Sequence, residues 1–196
     1  MAKLLNFRAV LVTAFMLLGA PAMAEWALDE QQSTVQFMSV KNASVAELHH
    51  FKAISGGISE TGAAEVKIDL DSVETLVPIR NQRMRELFFE TVRFPTASLA
   101  AEVPESLTQL SAGESRDTNI EVDVSLHGET ASYSAQVLVT ALVDGALQVV
   151  LSEPILVQAG DFGLAKGVEM LREVAGLKSI STAVPVTATL VFTPAS

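Results

Sequence analysis

Four of the chain's thirteen basic residues, Arg80, Arg83, Arg85 and Arg93, fall between Ile68 and Leu99, in the run IDLDSVETLVPIRNQRMRELFFETVRFPTASL, beside Phe88 and Phe89. A guanidinium gives fixed, forked hydrogen bonds to a polar group, and a phenyl ring offers a large apolar surface. On a β-scaffold that combination suits an amphipathic ligand with a long apolar body and a polar end. The candidate ligand-binding residues are Arg80, Asn81, Met84, Leu87, Phe88 and Phe37, with Arg80, Asn81 and Met84 at a barrel mouth and Phe88 helping to close an apolar cavity. The plainer alternative is a surface helix whose arginines pair with Glu86, Glu90 and neighbouring carboxylates while Phe88 and Phe89 anchor it to a core.

Other chemistry is sparse. His49, His50 and His127 are the only histidines. If His49 and His50 lie on a strand, they point to opposite faces and cannot share a site. A metal centre would then need one of them with His127 and a carboxylate, and nothing has ligand spacing. No Gly-x-Ser-x-Gly elbow is present for a hydrolase. Asp69 and Asp71 are placed to solvate a strand end and cap the turn leading to Ser72. With no cysteine, disulfides, thiolate metal sites and cysteine nucleophiles are excluded. No catalytic constellation, metal site or cofactor motif emerges.

The elements that would position these residues are mostly short strands. Ser33–Val40 puts Val35 and Phe37 on one face. Ala64, Val66, Ile68 and Leu70 alternate with Glu65, Lys67 and Asp69. The same period of two recurs at Ala97–Val103, Ile120–Leu126 and Val184–Phe192. Gln136–Val143 and Ala146–Glu153 flank Asp144-Gly145, a dipeptide favoured in two-residue hairpin turns. Val45–Ile58 reads as one long strand ending at Gly56-Gly57, and Thr108–Thr118 as a polar loop. Helical spacing occurs twice. Pro78–Glu90 aligns Ile79, Arg83, Leu87 and Glu90, while Val168–Ala175 is followed by Gly176 where a helix end favours glycine. Eight to ten strands with one or two short helices predict a single all-β domain, an antiparallel barrel or sandwich. Small inward alanines, among them Ala64, Ala97, Ala101, Ala135 and Ala188, either pack a filled interior or leave room for a guest.

The first 24 residues have the pattern of an export signal: Lys3 and Arg8, an apolar run Ala9–Leu18 too short to span a bilayer, and Ala22-Met23-Ala24 as cleavage site. Residues 25–196 form the expected domain. Without Lys3 and Arg8, 11 basic residues face 23 acidic ones, a net charge of −12. Such a chain is a poor partner for nucleic acid or for anionic lipid headgroups, where binding rests on phosphate neutralisation. Against that background the Arg80–Arg93 cluster is a local exception. No later segment is long and apolar enough to span a membrane. The expected compartment is the bacterial periplasm. The oligomeric state is open, with a homodimer among the options.

Several of these residues together resemble the YceI-like family. The resemblance rests on Trp26-x-x-Asp29, Ser33-x-Val35-x-Phe37, Ile68-Asp-Leu-x-Ser72-Val73-x-Thr75, Arg80-Asn81, Met84, Leu87-Phe88-Phe89, Phe94-Pro95, Leu126-His127-Gly128 and Asp161-Phe162-Gly163, in order from Trp26 to Phe192. The family commonly has Arg-Asp and His-Leu where this chain has Arg80-Asn81 and Arg83-Met84. The resemblance implies a lipocalin-like barrel of about eight strands in an exported, non-enzymatic protein that buries a long isoprenoid-like lipid. Two other functions stay open at this level: an interaction module with a filled barrel that binds a protein through the Arg80–Arg93 surface, and a metal-dependent enzyme built on His127.

Overall fold

The computed structural model describes residues 24–195. The expected export signal lies outside these residues, apart from Ala24. Twelve strand segments form one antiparallel sheet: β1 (Ala24–Leu28), β2 (Thr34–Lys41), β3 (Val45–Phe51), β4 (Ile54–Ser59), β5 (Ala63–Asp69), β6 (Val73–Glu74), β7 (Thr96–Glu102), β8 (Ser115–Leu126), β9 (Glu129–Ala141), β10 (Leu147–Leu151), β11 (Ile155–Gln158) and β12 (Ala183–Pro194).

The sheet closes on itself because β12 pairs on both edges. On one edge it pairs with β1 (Leu28 opposite Phe192) and further along with β2 (Phe37 opposite Val186). On its other edge it pairs with β10 (Leu147 opposite Phe192) and β11 (Ile155 opposite Val186). Thus β1 and β2 form two halves of one stave, as do β10 and β11. The segments β3 and β4 form another, beside β2 and β1. With β5, β7, β8, β9 and β12 the barrel has eight staves, and β6 is a short addition to β3.

The alternating residues face inward as their period predicts: Val66 and Ile68 on β5, Val124 on β8, and Ala135, Val137, Val139 and Ala141 on β9 are all buried. Several expectations for the strands and loops change. The stretch Val45–Ile58 is not continuous. It breaks at Lys52-Ala53, whose amides turn aside to the Ser72 hydroxyl at 3.2 and 3.1 Å. Gly56 lies inside β4 rather than ending it, and a Cβ there would sit 2.1 Å from the Glu65 carbonyl oxygen. Within Thr108–Thr118, β8 begins at Ser115, and a short helix α2 (Glu105–Thr108) precedes it. The strands around Asp144-Gly145 are joined by a loop of five residues, not two, since Ala141 and Leu147 are the first opposed pair.

Each end of the barrel is covered differently. At one end Leu107 of α2 is buried with Val137 and Val139. At the other lie helix α1 (Pro78–Arg83), a single π-helical segment Met84–Phe89, and α3 (Ala165–Val174). The sequence predicts one continuous helix over Pro78–Glu90. The π segment widens it, so residues five apart, Met84 and Phe89, are both buried. Phe88 and Phe89 then pack together with ring centroids 4.8 Å apart. The segment ends at Glu90, in left-handed conformation with φ 49°. Helix α3 lies close against it through Gly167, where a Cβ would meet Phe88 Cδ2 at 3.0 Å and the Leu87 carbonyl at 3.2 Å.

Candidate functional site: an apolar tunnel with a polar mouth

The barrel interior contains two cavities in series. The inner chamber, of about 130 Å³, is lined by apolar side chains including Ala64, Ala101, Ala135, Ala188 and Leu190. The outer chamber, of about 170 Å³, is lined by Phe37, Phe51, Met84, Phe88, Phe162 and Leu171 among others. Both are bounded by Leu99 and Ile155, which form a waist between them. The inward alanines therefore leave space on the inner side instead of completing a filled core.

A third cavity, of about 260 Å³, adjoins the outer chamber through the shared residues Phe37, Ser39, Met84, Leu171 and Ile180. It is polar. Lys41, Glu47, His49, Arg80 and Arg83 reach into it, and it forms the vestibule of the tunnel. Glu47 is the anion between two cations, with Arg80 Nη1 at 2.6 Å and Lys41 Nζ at 2.7 Å from the same oxygen. Those partners, the Lys41 hydrogen bond foremost, hold the Glu47 carboxyl below the usual carboxylate range. Arg80 also donates from Nη2 to the Thr75 carbonyl at 2.6 Å. Its Nε is buried with no hydrogen-bond partner among the described residues.

His49 and His50 separate as strand geometry requires. His49 faces inward and is 2% exposed, while His50 pairs outward beside Glu74. Nε2 of His49 shares a hydrogen bond with Ser39 Oγ at 2.9 Å, and Nδ1 is buried without a partner. Burial, reinforced by the Arg80 charge, lowers its pKa to about 4, so the ring is neutral near pH 7. Arg80 Nε and His49 Nδ1 are thus buried polar atoms with hydrogen-bonding capacity unused by the fold.

The six sequence candidates divide. Phe37, Met84 and Phe88 line the outer chamber, and Arg80 and Met84 line the vestibule. Asn81 lines neither; it braces the turn before α1. Its Oδ1 accepts from the Thr75 amide at 2.8 Å and hydroxyl at 2.6 Å, and its Nδ2 donates to Glu74 at 3.0 Å. That donation, with Lys52, lowers the Glu74 pKa to about 2. Leu87 also lies outside the lining residues, with its carbonyl facing Gly167. His49, Glu47, Lys41, Ser39 and Leu171 are site residues absent from the sequence candidates. Only the inward phase of a strand over Val45–Phe51 could have pointed to Glu47 and His49. His127 lies elsewhere, 2.8 Å from Glu90 and packed against the Phe94 ring at a tilt of 48°. Among the described residues no cluster of His, Cys, Asp or Glu could hold a metal ion.

Fold and site define a class: a closed eight-stave antiparallel barrel whose apolar interior adjoins a vestibule that carries charged side chains. The chain belongs to the YceI-like family, whose domain pattern matches residues 26–192. It is similar to a polyisoprenoid-binding domain from Saccharophagus degradans implicated in plant cell wall breakdown, with 35% identity, a TM-score of 0.86, and coverage of 88% of this chain and 100% of that one. The fold recurs in BcnA of Burkholderia cenocepacia at 16% identity and TM-score 0.66, covering 84% of this chain and 98% of that one. It recurs again in a YceI protein of Campylobacter jejuni at 15% identity and TM-score 0.51, covering 76% and 84%. No curated protein matches the chain.

Proposed function

We propose that the protein is an exported, non-enzymatic carrier that holds one long apolar lipid, isoprenoid-like in shape, along the barrel axis. The observation that carries this reading is the series of two apolar chambers ending in a polar vestibule. The 35%-identical relative, a polyisoprenoid-binding domain, supports the choice of lipid class. Residues 1–24 act as the export signal and residues 25–196 as the carrier domain, working in the periplasm. Phe37, Met84 and Phe88 hold the chain near the mouth. Arg80, with Nε free, and His49, with Nδ1 free, meet the polar end of the lipid. Asn81 and Leu87 serve the site indirectly, through the turn and the α3 contact. Organic extraction of protein purified from its own host, followed by mass spectrometry, tests the reading. One long-chain lipid in near-stoichiometric amount is the expected result, and extracts with no lipid above background would overturn it.

A further inference from the structure

The mouth of the tunnel is flanked by large apolar side chains that face water. Leu76 is 84% exposed, Ile79 51% and Val77 39%, in the turn that leads directly into Arg80. Leu48 of β3, 53% exposed, stands on the outer face of the strand that supplies Glu47 and His49 to the vestibule.

Folding does not account for this turn. Leu76 has φ 61°, in the left-handed region where a branched residue is strained and glycine or asparagine is not. The turn is tied down: the Leu76 amide donates to Glu74 at 2.6 Å, and Asn81 braces Thr75 beside it. A leucine held there, with its side chain in solvent, serves neither the core nor the turn.

We propose that Leu76, Val77 and Ile79 form a docking edge that seats the tunnel mouth on a bilayer surface containing anionic lipids. This rests on the lipid-carrier reading, since a long apolar chain enters or leaves the barrel most directly from a bilayer. Charge selects the occupant. The chain has a formal net charge of −10, yet the vestibule sets Lys41, Arg80 and Arg83 against Glu47 alone. An anionic surface attracts that pole and repels the rest, so the molecule approaches mouth first. Exposed apolar side chains beside cations then suit the interface, where each finds its own depth.

The test is flotation of the chain from Ala24 onward, which contains every described element, with vesicles of phosphatidylethanolamine and phosphatidylglycerol. The protein is expected to float with these vesicles, and to float less with phosphatidylcholine alone or in high salt. Leu76→Ser with Ile79→Ser should weaken binding by on the order of tenfold per side chain. Leu76→Asn, which suits the left-handed turn, should weaken binding while folding at least as well. Wild-type protein that stays unbound, or a double variant that floats equally well, would overturn the proposal. So would loss, in the double variant, of a captured protein partner when neither form binds vesicles. Lipid extracted from the same wild-type sample separates the two ideas. Loaded protein that does not float sinks the docking edge alone, and floating protein that never carries lipid sinks the carrier.

Discussion

Filling the inner chamber should impose a limit on ligand length. Ala135 is 1% exposed and lines that chamber, so Ala135→Phe directs a ring into existing space. One water-sized group needs roughly 10–15 Å³ of such void. The chamber's volume of about 130 Å³ therefore accommodates about ten methylene-sized groups. At ~0.8 kcal/mol per buried CH₂, a chain reaching the inner chamber gains up to ~8 kcal/mol there. A ring that occupies about half of it would remove ~4 kcal/mol, on the order of a thousandfold in affinity. A chain short enough to end at the Leu99–Ile155 waist would lose nothing. The assay is displacement of a fluorescent lipid by prenyl alcohols of increasing length, on wild-type and variant protein. Wild-type affinity should keep rising past the length at which the variant's reaches a plateau. Urea unfolding checks the fold, with a change within the ~1–3 kcal/mol range of overpacking. Parallel length dependence in both proteins would refute the two-chamber reasoning.

Other perturbations test other parts of the arrangement. The His49 pKa lies near 4 when folded, below its usual 6.5, so the unfolded chain binds more protons between these values. Stability should therefore be complete above about pH 6.5 and fall toward pH 4, by up to ~3 kcal/mol. Urea midpoints should show that slope in wild type and a shallower one in His49→Gln, where Glu47 and Glu74, also held low, still contribute below about pH 5. Equal slopes between about pH 5 and 6.5 would contradict the burial argument. In Gly167→Val the added carbons meet Phe88 and the Leu87 carbonyl, which should lift α3 from the π segment and speed lipid transfer to acceptor vesicles; an unchanged transfer rate would show that α3 does not gate the mouth. Gly56→Ala should destabilise by about 3 kcal/mol or more, because its Cβ meets the Glu65 carbonyl and the Val66 Cα. A thermal melt matching wild type would refute that close approach.

What was legible in the sequence was whatever depends on local period. The two-residue alternation placed Val66 and Ile68 inward and separated His49 from His50. Gly176 marked the end of α3, where it takes φ 63°. Long-range pairing left no such mark. Arg93 pairs locally with Glu90, as the helix-based alternative expects, but Arg80 pairs with Glu47, 33 positions away. The start of β8 was hidden because its outward residues are polar and pair across the hairpin, Ser115 with Thr140 and Asp117 with Gln136. The break between β3 and β4 depends on a hydroxyl from Ser72. The π segment departs from a regular helical pattern whose residues gave no sign of it, and its packing against Gly167 is set by a helix some eighty positions later. At the site, residue types pointed to an amphipathic ligand. The roles of Asn81 as a brace and His49 as a lining residue required knowing which strand ends meet.

The central claim is that one lipid chain runs from the vestibule through the waist into the inner chamber. A high-resolution electron-density map of the protein purified without delipidation measures this most directly. The account predicts continuous tubular density from beside Arg80 and His49, past Leu99 and Ile155, to Ala135. Chambers closed by collapsed side chains, or density confined to the outer surface, would contradict it.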